Sequence, residues 1–289
     1  MKFIGNDQSY MGKVGTHNPR VFFGFSSLAD LTDHVASLPA HPKTERATIE
    51  FYGTESVAAA IKLARSGWAE GASQAEKIAE EFQTERAIQR RPSYGVAGGS
   101  VSVGRMMAGN PEHMRRRTKQ PGRKVITLYT GVGVLARVPA SVMARRAAVV
   151  AAVADRLEMS GYSCEIVAIN TNRVGMGDNS CSHQFAVTLK HAGERLNIND
   201  VIFGLGHPSM QRRLFFSLVT GCNDLRNVWS SQGGSIRSFP VDTEEFYISS
   251  PTPDQADMLH NAKTVQEWFD IIAPKKLREI LQTQQQRNA

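Results

Sequence analysis

At 289 residues, 41% of them hydrophobic and 21% charged, the chain can bury a sizeable core as one large domain or two smaller ones without covalent staples. Three cysteines, Cys164, Cys181 and Cys222, exclude a framework of paired disulfides and fit a reducing compartment. A net charge of +7 and a pI near 9.4 favour approach to a polyanion, yet fall far short of a ribosomal or histone-like protein.

The opening Met1-Lys2-Phe3-Ile4-Gly5-Asn6-Asp7-Gln8 turns polar after two apolar residues, unlike the apolar core of a secretory signal. No later stretch reaches about 18 consecutive apolar residues, so neither export by that route nor a membrane span is expected. Val21-Phe22-Phe23-Gly24-Phe25 reads as a buried strand, followed by a short helix carrying Leu28, Leu31 and Val35 behind a Ser26 or Ser27 cap. Thr48-Ile49-Glu50-Phe51-Tyr52 alternates like a strand, and Thr54 is placed to cap a helix of Val57, Ala60, Ile61 and Ala64 that Gly67 ends. A further helix from about Ser73 to Gln89 sets Ile78 and Phe82 on one face and acids on the other.

From Arg90 to Lys124 periodicity disappears, glycines and prolines accumulate, and positive charge gathers. Residues 1–90 are thus expected to add strands to a sheet or form a small module, 91–124 to be a basic Gly/Pro-rich linker or insertion, and 125–289 to be an α/β core with C-terminal helices.

Val125-Ile126-Thr127-Leu128-Tyr129 is a short apolar strand, and Gly131 and Gly133 turn the chain. Pro139 opens a helix whose Val142, Met143, Ala147, Val150, Ala151, Ala154 and Leu157 recur every three or four residues until Gly161. Cys164 to Ile169 is the next strand, and a strand, long helix and strand in succession predict a parallel crossover. Further strands are expected at Phe185 to Leu189, Val201 to Leu205 and Phe246 to Ser249, with a helix near Ser209 to Thr220 and a helical C-terminal region whose tail from Gln282 frays. The fold class is α/β, a vWA-like or Rossmann-like, mainly parallel sheet with helices on both faces.

The order of apolar strand, small-residue turn, long Ala- and Val-rich helix, Gly161-Tyr162 and second strand resembles the start of a von Willebrand factor A domain. In that family an Asp-x-Ser-x-Ser site at the end of the first strand holds a divalent metal. The resemblance places its three positions at Tyr129, Gly131 and Gly133, none of which supplies a carboxylate or suitable hydroxyl, so a lost metal site is implied. The string from Tyr94-Gly95-Val96-Ala97-Gly98-Gly99 through Val103-Gly104-Arg105 to Gly109-Asn110-Pro111-Glu112-His113-Met114 also resembles uncharacterised proteins of bacteriophages and mobile elements, over roughly Gly67 to Thr220. That likeness implies a viral source and little about chemistry.

No catalytic motif emerges. Gly131 and Gly133 lack the third glycine or Lys-Ser/Thr of a nucleotide fingerprint, and no Gly-x-Ser-x-Gly elbow occurs. Cys181-Ser182-His183 with His191, His207 and Asp178 has no standard zinc spacing. No metal and no cofactor is expected. The sharpest functional feature is Arg115, Arg116, Arg117, Lys119, Arg123 and Lys124 within ten residues, with Arg105 as a weaker contributor, a stretch suited to following a phosphate backbone. Arg145-Arg146 and Arg212-Arg213 are further basic pairs. The expectation is a non-enzymatic phage accessory protein that binds DNA or RNA, in the cytoplasm of the infected host, without a membrane. Its rivals are a virion or assembly protein that contacts its own copies or a phage partner, and, behind it, an enzyme acting on nucleic acid.

Overall fold

Apolar strands in the middle of the chain need a partner surface, and the long helix between them supplies it. A computed structural model describes residues 10–12, 20–41, 44, 48–83, 94–96, 100–115, 124–134, 138–174, 181–221, 246–251, 253–262 and 264–288.

In chain order, β1 (Tyr10–Gly12) and β2 (Arg20–Phe25) precede α1 (Leu28–Ser37). The Ser27 hydroxyl caps α1 by accepting from the Asp30 amide at 3.1 Å, and Leu28, Leu31 and Val35 are buried, as the spacing predicts. A single helical turn, α2 (Ile49–Tyr52), comes next, then α3 (Val57–Ser66) and α4 (Ala69–Gln83). The cap of α3 is Ser56 rather than Thr54, and Gly67 closes it with φ 86. Helix α4 starts four residues earlier than the expected Ser73.

Short strands β3 (Tyr94–Gly95), β4 (Ser100–Val101) and β5 (Met114–Arg115) follow, with α5 (Val103–Met107) between the last two. Then come β6 (Val125–Gly131), α6 (Ala140–Met159), β7 (Ser163–Val174) and β8 (Cys181–Lys190). Helix α7 (Ile198–Gly206) leads through a π-helical stretch, Met210–Phe215, into α8 (Phe216–Gly221). The chain ends on β9 (Tyr247–Ile248), α9 (Pro253–Asn261), α10 (Val265–Ile272) and α11 (Lys275–Asn288). The last helix runs to Asn288, past the expected start of the tail at Gln282.

The main sheet has the order β1-β2-β8-β7-β6-β9. Pairs β6/β7, β6/β9 and β2/β8 are parallel, while β1/β2 and β7/β8 are antiparallel. The predicted crossover is present, with Leu128 opposite Ile166. The result is an α/β fold with a mixed, mostly parallel sheet, consistent with Rossmann-like and vWA-like arrangements.

Alternation along the strands sorts the faces. Ile126, Leu128, Ile166, Ala168, Phe185 and Val187 join the main apolar cluster with the helices, whereas Val167, Ile169 and Ala186 form a smaller cluster with Tyr129 and Tyr247 on the other face. Helix α6 lies within the larger cluster and is buried around most of its circumference, every residue from Ala147 to Ala154 included. Its alanines and valines let α4 and α7 approach closely.

Two expected strands are helices. Val201 to Leu205 lies in α7, capped by Asn197 and fully buried, because a short run apolar on every side fits a buried helix as well as a strand. Thr48 to Tyr52 is an equally β-prone run, but its carbonyls are gathered from one side. Arg212 Nη1 donates to the Phe51 carbonyl at 2.6 Å and Ser209 Oγ to that of Tyr52 at 2.7 Å. Arg213 Nη2 reaches the Thr54 carbonyl at 2.7 Å, and Gly53 at φ 77 ends the turn. Those tertiary bonds outweigh propensity.

Candidate nucleic-acid interface

The expected linker at 91–124 contains built structure. β5 pairs antiparallel with both β3 and β4, with Arg115 opposite Tyr94 and Ser100. The connection through α5 is stitched by its own backbone: Ser102 N donates to the His113 carbonyl at 2.7 Å, Asn110 N to that of Arg105 at 2.9 Å, and Gly109 N to that of Met106 at 3.0 Å. Gly109 takes φ 69 to close this turn. The Asn110 side chain accepts from the Glu112 amide at 2.9 Å.

Within this frame Arg105 is half-buried, and its Nε donates to the Glu112 carbonyl at 3.1 Å. It braces the loop. Arg115 sits at the end of β5, and Lys124 is exposed where the chain enters β6, its carbonyl accepting from Ser163 N at 2.9 Å. Arg116, Arg117, Lys119 and Arg123 lie outside the described residues. The structure therefore brings Arg105 and Arg115 onto one small sheet module and leaves Lys124 at the edge of the large one.

The charge is local. Between 94 and 124 there are seven basic residues and one acid, Glu112, so this segment carries +6 of the net +7 and the rest of the chain is almost balanced at +1. A field confined to one stretch acts on a polyanion more strongly than the same charge spread over the surface.

The other basic pairs do not extend that field. Arg146 is 1% exposed, and its guanidinium donates to the carbonyls of Gly131 at 2.8 Å, Ser249 at 2.9 Å and Ile248 at 3.2 Å. Burial lowers its pKa to about 10, still well above neutral pH. Arg145 lies over the Trp268 ring at 4.9 Å. Arg212 and Arg213 are buried over Phe51 and Tyr52, at 4.4 and 4.0 Å. Arg146, Arg212 and Arg213 are core cations that hold carbonyls, a role that adjacency in sequence could not reveal.

The end of β6 is where the resemblance to von Willebrand factor A domains implies an ion. Here the Gly131 carbonyl faces the Arg146 guanidinium, so a side-chain cation occupies the end of the strand. A Cβ on Gly131 would approach Ser250 Oγ to 2.6 Å and the Tyr247 hydroxyl to 3.0 Å, so even the smallest side chain is crowded out there. Among the described residues no three His, Cys, Asp or Glu side chains converge on a metal position. His183 is buried and stacked on Phe185 at 4.5 Å, its pKa lowered by burial to about 3. His207 stacks on Phe203 at 5.2 Å, accepts from Ser209 N at 3.2 Å, and is lowered by burial to about 4. Asp178 and Cys222 lie outside the described residues. Among the described residues, no helix is long and apolar enough to cross a membrane.

Sequence reasoning missed the exposed aliphatic side chains of the small module, Val96, Val101, Val103, Met106 and Met107. Their signal was present as apolar residues inside a Gly-rich stretch with no periodicity to bury them. In comparisons with known proteins, the model of a family described as Domain of unknown function (DUF7192) matches residues 12–279, so the chain belongs to that family over nearly its whole length. No curated protein and no solved structure matches the chain.

Proposed function

We propose, for this member of the DUF7192 family, the role of a non-enzymatic phage accessory protein that binds nucleic acid through Arg115, Arg116, Arg117, Lys119, Arg123 and Lys124, with Arg105 bracing the same segment. The observation that carries the reading is the confinement of +6 of the net +7 to residues 94–124. Lysine and arginine in such density gain free energy by displacing counterions from phosphates. The reading places the protein in the cytoplasm of the infected host.

Fluorescence anisotropy against DNA and RNA, single- and double-stranded, over a range of salt tests it. Binding should weaken steeply with salt, and replacing Arg116, Arg117 and Lys119 by Gln should flatten the slope by about one unit per lost phosphate contact. No binding at low salt, or an unchanged slope, removes the proposal.

A second reading is favoured by the exposed aliphatic side chains beside the charge: a virion or assembly protein whose module contacts an acidic phage protein or further copies of the chain. Presence in purified particles together with no nucleic-acid affinity would select it.

A further inference from the structure

The module of β3, β4, α5 and β5 contributes none of its described residues to either apolar cluster. Yet it holds five of the nine large hydrophobic side chains exposed among the described residues, Val96, Val101, Val103, Met106 and Met107. Met107 is 81% and Val96 71% exposed. Apolar surface in water is unfavourable, and its concentration in one short hydrogen-bonded unit marks a contact surface. The bonds across α5 and the Gly109 turn hold that surface in shape before any partner arrives.

Charge and residue type select the occupant. A second copy would bring two +6 segments together, and like charges oppose that pairing. An anionic bilayer is anchored by Trp, Phe and Leu, and none of these occurs between 94 and 124. Single-stranded nucleic acid is held by bases stacked on aromatic rings, and Tyr94 is the one Phe, Tyr or Trp of the segment. On the nucleic-acid reading, what remains is the combination used on duplex DNA, aliphatic wedges beside arginines, in which the wedge unstacks a base step from the minor groove while cations neutralise the flanking phosphates.

We propose that the 94–115 module is a wedge for duplex DNA, with the exposed Met106 and Met107 of α5 entering a base step and bending the helix. This rests on the nucleic-acid reading above and gives it a substrate class.

The test uses the full chain and a duplex of about 30 base pairs, short enough to stay straight when free, with a donor and an acceptor dye at its ends. Wild type should bind the duplex in preference to a single strand of the same sequence and raise energy transfer. Met106→Ser with Met107→Ser should keep binding within about tenfold, since phosphate contacts dominate affinity, but lose the rise in transfer. Both positions are exposed, and an unchanged thermal midpoint will verify folding. A bound duplex that stays straight, a Ser variant that bends it as wild type does, or preference for the single strand overturns the wedge and leaves the nucleic-acid reading standing. Absence of all nucleic-acid binding, with or without capture by phosphatidylserine vesicles, overturns both.

Discussion

Nη1 of Arg146 lies 2.8 Å from the Gly131 carbonyl and donates to it, while Nη2 reaches the carbonyls of Ile248 and Ser249. One buried fork thereby ties the end of β6 to the end of β9. Replacing Arg146 by Met should destabilise the fold by about 2–4 kcal/mol in urea unfolding, because the buried carbonyls of Gly131 and Ile248 and the part-buried one of Ser249 lose their donor. Lys should recover part of the loss, since a single ammonium cannot reproduce the planar fork. A neutral result for Met would show that the carbonyls find other partners.

The buried histidines make stability depend on acid. An unfolded chain protonates His183 and His207 near pH 6.5, whereas burial lowers the folded values to about 3 and about 4. The depressed folded values mean that stability is full above about pH 6.5 and is lost as pH falls toward them. Burial raises the carboxyls of Asp155 and Asp200 and works in the opposite direction, so the histidine share must be isolated by mutation. His183→Phe removes a buried ring nitrogen, Nδ1, that has no hydrogen-bond partner and keeps an aromatic against Phe185. It should match or exceed wild type at pH 7 and lose about 2 kcal/mol less between pH 7 and 4.5 in paired denaturant titrations.

Lys190 and Glu158 form an unequal pair. The Lys190 side chain is 1% exposed and that of Glu158 23%, with 2.6 Å between Nζ and Oε1. Nζ also donates to the Cys164 carbonyl at 2.7 Å. Glu158→Ala strands a buried ammonium and should cost about 3–5 kcal/mol, whereas Lys190→Met leaves a carboxylate that can reach water and should cost less. Thermal unfolding of the two single variants and the double variant will order them, and the reverse order would contradict the burial difference.

Two glycines should respond in opposite ways to Ala. A Cβ on Gly206 would lie 2.9 Å from that of Ala147 and 3.0 Å from the Ala144 Cα, where α7 presses on α6. Gly206→Ala should therefore cost about 1–3 kcal/mol by overpacking. Gly104 in α5 has nothing within 4 Å of such an atom, and Gly104→Ala should hold or raise stability by up to about 1 kcal/mol. Differential scanning calorimetry on both variants would separate these outcomes.

The central crossover was legible because its signal is periodic: α6 repeats apolar residues every three or four positions, and β6 and β7 are bounded apolar runs. The Val201 to Leu205 run lacked periodicity, so strand and buried helix read alike. Ile49 to Tyr52 reads as a strand in isolation and turns helical under contacts from Ser209, Arg212 and Arg213, more than 150 positions away. The true work of Arg146 and Arg213 was hidden too, since a charged letter in a sequence carries no mark of the carbonyls it will meet. At the candidate interface the cluster of basic residues was plain, while the small sheet was not, because two-residue strands are too short to show alternation.

Strand β2 takes its parallel neighbour from β8, with Arg20 opposite Ser182 and Phe25 opposite Val187. A ribosome that has delivered the first 180 residues has therefore made β2 without the neighbour that completes its place in the sheet. Until then β2 has only the short β1 beside it in the sheet and α1 against Phe23 and Phe25. Completion of this sheet is consequently late, and chains truncated or stalled before β8 will be the ones that need a chaperone.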